Sequence, residues 1–202
     1  MLSEGEKKIY RALYKSKEGL HVREICRLAK LSLPAVSKHI IRGEKAGTIF
    51  CKEIGRLKLC RLNFKSEKIV SILHEVELDR FRKLPRDAQE SLNSFIDDLK
   101  EKPLIAIIFG SYASGKQTKK SDLDVLLVFQ RADSRLIKNT EASARKISGR
   151  TGVDIQPVSL SYEEFEKNIL NRENEFMKDI RGNSLVVRGL DVYLKFIGRF
   201  FE

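Results

Sequence analysis

Residues 107–129 read IIFGSYASGKQTKKSDLDVLLVF, and this stretch decides the fold of the second part of the chain. The apolar runs at its two ends predict two buried strands, one ending at Gly110-Ser111 and one beginning at Asp122. Asp122 and Asp124 are separated by one leucine, so on a strand both carboxylates point to the same side. Because neighbouring carboxylates repel each other, the pair predicts a divalent cation between them. Mg²⁺ suits such a site, since it binds one or two carboxylates together with substrate phosphates.

The segment between the two strands predicts a place for a phosphate. Gly110-Ser111 forms a turn at the end of the first strand, and a short polar helix is expected over about residues 113–119. Free backbone N–H groups at such a turn can face an anion. The sequence therefore places a phosphate-binding turn and a metal-binding carboxylate pair at the ends of adjacent strands.

A third carboxylate lies in the next strand-like segment, TGVDIQPVSL, which follows a helix predicted over about residues 134–148. Asp154 stands there between two apolar residues, and it is the only acid in a strand-like context after Asp124. Two-metal transfer of a nucleotide needs acids in such positions, because the metals bind a triphosphate and a carboxylate can act as general base. We therefore expect two Mg²⁺ ions and a nucleoside triphosphate at this site.

The sequence GSYASGKQTKKSDLD resembles the Gly-Ser and Asp-x-Asp signature of the minimal nucleotidyltransferases, the smallest members of the polymerase-beta-like superfamily. The resemblance covers residues 86–189, including FMKDIRGNSLVVRG, which is similar to the closing helix and strand of that family. It implies transfer of a nucleoside monophosphate from a triphosphate, with ATP as the expected donor, to an acceptor hydroxyl, and release of pyrophosphate. It assigns nucleotide binding to Gly110 and Ser111, and metal binding and catalysis to Asp122, Asp124 and Asp154. Lys116 is expected to add a contact with the nucleotide.

The chain departs from the family pattern at Ser114, where many relatives carry arginine. The missing guanidinium would weaken a phosphate contact or alter the choice of substrate. Three lysines follow within six residues, Lys116, Lys119 and Lys120, and any of them could supply the contact.

The positive charge of the chain is concentrated in its first third. The formal net charge is +11, and residues 1–66 hold 16 lysines and arginines against 6 acids, whereas residues 67–202 hold 23 against 22. This asymmetry predicts two modules with different partners, of which the first binds nucleic acid, in this case double-stranded DNA.

The first module is expected to contain three helices and a hairpin. Apolar spacing predicts helices over residues 3–17, over LHVREICRLAK and from about Leu33 to Ala46, the last with Ser32 as its N-cap. Gly55-Arg56 suits the two-residue loop of a hairpin. Two helices joined by a tight turn and followed by a basic hairpin resemble a winged helix, over residues 3–65.

In a winged helix the third helix enters the major groove and the hairpin contacts the backbone. The side chains expected on that surface are those of Ser32, Ala35, Ser37, Lys38, Arg42 and Lys45 on the helix and Lys52, Arg56 and Lys58 on the hairpin. A winged helix that mediates protein contacts is the alternative interpretation.

The predicted turn also fixes the register of the hairpin. With Gly55-Arg56 as the loop, Glu53 lies opposite Lys58 and Cys51 lies opposite Cys60 as a non-hydrogen-bonded pair. Such a pair brings Cα atoms to about 4.5 Å, at the short end of disulfide geometry. Two interpretations stay open, a reversible disulfide that stiffens the hairpin and ordinary packing of two reduced thiols.

These elements predict an α+β protein, a winged helix followed by a mixed-sheet polymerase-beta-like nucleotidyltransferase domain with flanking helices. The expected domains are residues 1–65 and 85–202, joined by a helical connector at 66–84. The connector carries an apolar stripe that could be a dimer seam, and because operators are often palindromic a homodimer is expected.

The composition excludes several classes of protein. No apolar run approaches the roughly 20 residues of a membrane span, the N-terminus lacks the apolar stretch of a signal peptide, and three cysteines form no even disulfide framework. A soluble cytoplasmic protein is expected.

Three functional hypotheses follow. The first is a DNA-binding nucleotidyltransferase, and because minimal nucleotidyltransferases are often antitoxins, the resemblance implies a HEPN toxin as a candidate partner. The second is a transcriptional regulator whose C-terminal domain binds nucleotide as a sensor without turnover. The third, a transferase acting on antibiotics or other small molecules, is disfavoured by the fused DNA-binding module.

Overall fold

The computed structural model of the chain describes residues 2–16, 18–55, 57–118 and 120–201. The chain divides into two units, residues 1–76 with 197–202 and residues 77–196. The division lies within the segment expected to be a connector, and the last six residues group with the first unit. The predicted domain boundaries stay a prediction. Two residues singled out above, Arg56 and Lys119, lie outside the described residues.

The described part of the first unit contains three helices packed against a three-stranded antiparallel sheet. Its elements are α1 (Glu4–Lys15), β1 (Leu20–His21), α2 (Val22–Ala29), α3 (Leu33–Lys45), β2 (Ile49–Ile54) and β3 (Leu57–Leu62), followed by the first part of α4 (Glu67–Arg82). The strand order is β1-β3-β2. The three helices and the hairpin lie close to their predicted positions, but the second helix was expected to begin at Leu20. Leu20 and His21 instead form β1, because they pair with β3, and α2 begins at Val22.

Local sequence explains where the first helices begin. Ser3 and Glu6 form a capping box at the start of α1, in which each side chain bonds the backbone of the other residue. The face of α1 predicted to be apolar is buried, and so is that of α3. Ser32 occupies the N-cap position of α3, but its side chain makes no capping hydrogen bond, so the stabilisation expected from it is absent.

The hairpin has the predicted register. Ile54 pairs with Leu57, Glu53 with Lys58, and Cys51 with Cys60. The Cα atoms of Cys51 and Cys60 are 4.1 Å apart, and their sulfur atoms form a disulfide. The expectation of cross-strand adjacency is therefore confirmed.

The second unit is built on a four-stranded mixed sheet. After the end of α4 come α5 (Arg86–Asp98), β4 (Ile105–Ile108), α6 (Gly110–Ser114), β5 (Leu123–Phe129), α7 (Ser134–Thr151), β6 (Ile155–Ser161), α8 (Tyr162–Ile169), α9 (Glu175–Asn183), β7 (Leu185–Arg188) and α10 (Leu190–Phe201). The strand order is β6-β5-β4-β7, with β5 and β6 parallel and the other pairs antiparallel. A mixed sheet with flanking helices fits the architecture predicted for a polymerase-beta-like domain.

The two faces of this sheet carry different kinds of side chain. Leu123, Val125, Leu127 and Phe129 of β5 are buried in a core that includes residues of α5 and α7. Because side chains alternate along a strand, Asp124 points to the opposite face. Asp154 stands directly before β6, between the buried core residues Val153 and Ile155. The alternation therefore places Asp124 on the side of the sheet away from α5 and α7.

Three local predictions are corrected. The helix expected over residues 113–119 is α6, which begins at Gly110 and ends at Ser114, because Gly115 adopts the left-handed conformation (φ 73°) that terminates helices. Asp122 and Asp154 each stand directly before a strand rather than within it. Both aspartates are exposed, so neither ionised carboxylate has to be buried inside the sheet.

No helix formed by the described residues is long and apolar enough to cross a membrane.

Candidate functional site

The predicted phosphate turn packs against Asp124, one of the predicted metal ligands. Gly110 has φ +66°, and a Cβ atom built on it would collide with the carboxylate of Asp124. The Phe109 N–H donates to the backbone carbonyl of Asp124 at 3.1 Å, which holds the end of β4 against the start of β5. Only glycine combines this conformation with this close approach. The Gly-Ser and Asp-x-Asp motifs are separated in sequence but pack against each other through Gly110 and Asp124.

Hydrogen bonds around Ser111 fix the short helix α6. The carbonyl of Ser111 accepts from the Ser114 hydroxyl at 3.1 Å and from the Lys116 N–H at 2.9 Å. These bonds close the turn after α6 and fix the point at which the loop before Asp122 begins. Ser114, which stands where many relatives carry arginine, is exposed and contributes to this local closure.

Arg80 supports α6 from a distant part of the chain, and sequence reasoning missed it. Its guanidinium donates to the carbonyl of Ala113 at 3.2 Å, to the carbonyl of Ser184 at 2.8 Å, and to both carboxylate oxygens of Glu77 at 3.0 Å. Glu77 is buried, with 2% of its surface exposed. The carbonyls at the end of α6 and before β7 carry no sequence signal, so no pattern could have identified this contact.

The two aspartates of the D-x-D motif are electrostatically coupled. Asp124 is half-buried, whereas Asp122 is exposed. Burial raises the pKa of the Asp124 carboxyl above its ordinary value, and the negative charge of Asp122 raises the pKa further. A cation between them would relieve both effects, because it replaces lost hydration and cancels the repulsion. The pair therefore fits a divalent metal, with oxygen ligands of the kind Mg²⁺ prefers.

Asp154 lies at the start of the neighbouring parallel strand. Its carbonyl accepts the Leu123 N–H at 2.7 Å, so Asp122 and Asp154 stand directly before paired residues of β5 and β6. The Asp154 carboxylate accepts from the side-chain amide of Gln156 at 3.0 Å. Within the described ranges, no group of three or more His, Cys, Asp or Glu residues is arranged to hold a metal ion. The structure brings Asp122 and Asp124 together, and the expected three-carboxylate centre stays a prediction.

A cleft of about 700 Å³ opens beside Asp122 and Asp154. Tyr112 lines it, and burial raises the pKa of the Tyr112 phenol, as do the charges of Asp87 and Asp122. The buried Oε1 atom of Gln117 accepts no hydrogen bond from the described residues. The cleft thus combines carboxylates with a hydrogen-bond acceptor that lacks a donor, which suits a ligand carrying hydroxyl groups.

The lysines predicted to contact phosphate occupy different positions. Lys116 and Lys120 are both exposed. Lys120 lines the cleft beside Asp122 and Asp154, whereas Lys116 does not belong to its lining. Lys116 instead follows the turn that Ser111 closes, so the two lysines lie at opposite ends of the loop between α6 and Asp122.

In the first unit, the residues expected to contact DNA are largely accessible. Ser32, Lys38, Arg42, Lys45 and Lys52 are exposed. Ala35, Ser37 and Lys58 are half-buried. Arg56 belongs to the same predicted set but lies outside the described residues.

Lys58 differs from the other predicted contacts because its charge is partly engaged. Its ammonium donates to the Glu44 carboxylate on α3 at 2.7 Å. This ion pair joins the hairpin to α3 within the first unit. We therefore expect Lys58 to orient the hairpin more than it attracts phosphate.

Comparison with known proteins supports one part of this picture. Residues 90–179 match the family model described as polymerase beta, nucleotidyltransferase. The matched range contains the Gly110 turn and all three aspartates, and it supports a nucleotidyltransferase domain in this part of the chain. No curated protein and no solved structure matches the chain.

Proposed function

We propose that the second unit transfers a nucleoside monophosphate from a nucleoside triphosphate, with ATP as the expected donor, to an acceptor hydroxyl. A bond forms between the acceptor oxygen and the α-phosphorus, the bond from that phosphorus to the β-phosphate oxygen breaks, and pyrophosphate leaves. The observation that carries the proposal is the packing of Gly110 against the half-buried Asp124 carboxylate, with Asp122 beside it. This packing joins a phosphate turn to a pair of metal ligands.

Each residue of the site has a distinct role in the proposal. The turn at Gly110 and Ser111 binds the phosphates through its backbone, and Lys116 adds a positive charge. Asp122 and Asp124 hold Mg²⁺, and Asp154 supplies a further ligand. When bound, Mg²⁺ would neutralise charge on the triphosphate.

Asp154 is also the proposed general base. It is exposed, and it lines the cleft next to Asp122. An acceptor in the cleft would therefore present its hydroxyl to the Asp154 carboxylate, which would take the proton. The bond from Gln156 orients the carboxylate while leaving its second oxygen available.

For the first unit we propose a winged helix that binds double-stranded DNA. The helix α3 and the hairpin would face the duplex, with Lys38, Arg42 and Lys52 contacting phosphates and Ser32 and Ser37 near base edges. The net charge of +10 over residues 1–66 supports this surface, as does the exposure of its lysines and arginine. A homodimer on a palindromic site, and a HEPN toxin as the acceptor protein, belong to the same proposal and rest on the family resemblance.

The test uses the purified full chain with labelled ATP, Mg²⁺ and the products of neighbouring genes. Asp124→Ala should abolish both label transfer and Mg²⁺-dependent ATP binding, whereas Asp97→Ala, which removes an exposed aspartate from α5, should change neither. Circular dichroism would show that both variants are folded.

The outcomes separate the two leading hypotheses. Undiminished transfer by Asp124→Ala would refute the catalytic assignment. Mg²⁺-dependent ATP binding by the wild type without transfer to any acceptor would select the sensor hypothesis, in which the same site regulates DNA binding.

A further inference from the structure

Phe176 is an exposed aromatic residue beside the proposed phosphate turn. It lies in the first turn of α9, and 39% of its surface is exposed. Its ring meets that of Phe109 edge to face, with centroids 5.3 Å apart and planes at 83°. Phe109 directly precedes Gly110, and its N–H donates to the carbonyl of Asp124. Phe176 therefore contacts the residue that directly precedes the turn.

Phe176 also lies on the sheet face to which Asp124 points. Its helix neighbours Met177 and Ile180 are buried, and neither belongs to the core formed with α5 and α7. The helix α9 contacts α6 and α8, and α8 contacts β5 and β6. The helix thus packs over the face to which Asp124 points, at the end of the sheet where α6 lies.

The first turn of α9 is held rigidly. The Asn174 side chain accepts the Met177 N–H at 3.0 Å as an N-cap, and its amide donates to Asn168 at 2.9 Å. A ring on a capped and cross-linked turn loses little conformational freedom when a ligand covers it. Phe176 is therefore preorganised as a flat apolar surface.

A single exposed apolar side chain is common in proteins, so position is what makes this one informative. Among the described residues of the second unit, the large exposed apolar side chains are Leu78, Leu104, Val158 and Phe176, and only Phe176 is aromatic. A base is joined to its phosphates through one sugar, so it must lie close to the phosphate turn without touching it. Phe176 meets this condition because Phe109 stands between them.

We propose that Phe176 stacks against the base of the bound nucleotide, so that this site selects purine nucleotides over pyrimidine nucleotides. This inference rests on the proposed function and specifies its substrate. Stacking on an aromatic ring accepts every base, because each has a π face, and the larger purine covers more of the ring. ATP and GTP should therefore bind with similar affinity, and both more tightly than CTP and UTP.

The test compares ligands with and without a base on the full chain. Calorimetric titration in Mg²⁺ would give Kd for ATP and for inorganic tripolyphosphate. Phe176→Ser should raise the Kd for ATP roughly tenfold, within the range found when stacking side chains are removed, and leave the Kd for tripolyphosphate unchanged. Phe176→Tyr should restore ATP binding. Phe50→Ser, which removes a phenylalanine that is 53% exposed in the first unit, is the matched control and should affect neither ligand.

Each result has a defined meaning. An unchanged Kd for ATP in Phe176→Ser would overturn the inference. Equal losses for ATP and tripolyphosphate would also overturn it, because Phe176 would then act through Phe109 on the turn. A wild type that binds neither ligand would reject the proposed function and the inference together, whereas the first two results would overturn the inference and leave the proposed function standing.

Discussion

The carboxylate of Asp124 occupies the space that a side chain on Gly110 would need. Asp124 lies on β5 and Gly110 follows the antiparallel strand β4, and the bond from Phe109 to the Asp124 carbonyl holds these two segments together. We therefore expect a change at Gly110 to be transmitted to Asp124, the proposed metal ligand.

Gly110→Ala should weaken Mg²⁺-dependent nucleotide binding by more than the backbone strain at residue 110 alone would explain. The left-handed conformation costs an alanine about 1–2 kcal/mol, and the new methyl group would in addition displace the Asp124 carboxylate. We expect at least a tenfold rise in the Kd of Mg²⁺-ATP, measured by calorimetry on the folded variant.

Gly115→Ala is the matched control. Gly115 has a similar φ of +73°, and a Cβ atom there would meet nothing within 4 Å. Gly115→Ala should lower the free energy of unfolding in urea to a degree similar to Gly110→Ala. Its effect on the Kd of Mg²⁺-ATP should be much smaller. If both variants lose affinity equally, the contact with Asp124 has no special role.

Asp124→Asn should stabilise the metal-free protein at neutral pH. Burial and the charge of Asp122 raise the pKa of Asp124 above its ordinary value of 3.8. At pH values between 3.8 and the raised pKa, the folded state therefore binds more protons than the unfolded state. Wild-type stability therefore falls as pH rises through that window, and the asparagine variant avoids this loss. Thermal unfolding in EDTA should show a higher Tm for the variant at pH 7, with the advantage shrinking as the pH approaches 3.8.

The same variant should lose Mg²⁺-dependent ATP binding, which makes Asp124 a residue retained for function at a cost in stability. Asp97→Asn, at an exposed position on α5, should leave the Tm unchanged across this pH range. A lower Tm for Asp124→Asn at pH 7 would contradict the electrostatic account.

Arg80→Met should strongly destabilise the second unit. It would leave the buried Glu77 carboxylate without its arginine and would remove the donors that bind Ala113 and Ser184. Breaking a buried pair by removing one partner costs about 3–5 kcal/mol. Lys83→Ala breaks an exposed ion pair with Asp79 on the same helix and should cost no more than about 0.5 kcal/mol. Urea unfolding would measure both, and similar losses would contradict the role assigned to burial.

Lys38→Ala and Arg42→Ala should each weaken binding of the full chain to double-stranded DNA. Both side chains are exposed on α3, and each lost phosphate contact should flatten the dependence of log K on log salt by about 0.9. Arg86→Ala removes an arginine whose side chain is 90% exposed in the second unit, and it should leave the slope unchanged. Equal slopes for all variants would assign the basic surface to another kind of partner.

The sequence was most informative where chemistry and periodicity coincide. The direction of Asp124 and the hairpin register follow from alternation along a strand, the buried strand before Gly110 follows from a continuous apolar run, and the structure contains each of them. The register was predictable because a two-residue loop leaves only one pairing for Cys51.

The features that could not be predicted depend on contacts distant in sequence. Arg80 binds carbonyls 33 and 104 residues away, and a carbonyl is present at every residue. The extent of α6 also escaped prediction, because Gly-Ser is typical of turns whereas here Gly110 opens the helix. Phe176 is one of eleven phenylalanines in the chain, and only the fold shows that it contacts Phe109.

The disulfide between Cys51 and Cys60 should make the hairpin sensitive to reduction. Because Cys26 is the free cysteine of the chain, alkylation of the unreduced native protein should modify one thiol, and alkylation after reduction should modify three. Closing so short a loop stabilises a protein by roughly 2–3 kcal/mol in the chain-entropy account, so Cys51→Ser should lose that amount in urea unfolding. Cys26→Ser, the control, should retain the dependence on reductant.

DNA affinity should follow the same bond. The disulfide fixes the strand that carries Lys52, and a hairpin held in one geometry loses less freedom on binding. We therefore expect the wild type to bind DNA more weakly in reductant, and Cys51→Ser to bind equally weakly in both conditions. Modification of three thiols without reductant would disprove the bond. Equal DNA affinity with and without reductant would confine its effect to stability, because the hairpin would then hold its shape through the β2–β3 ladder alone.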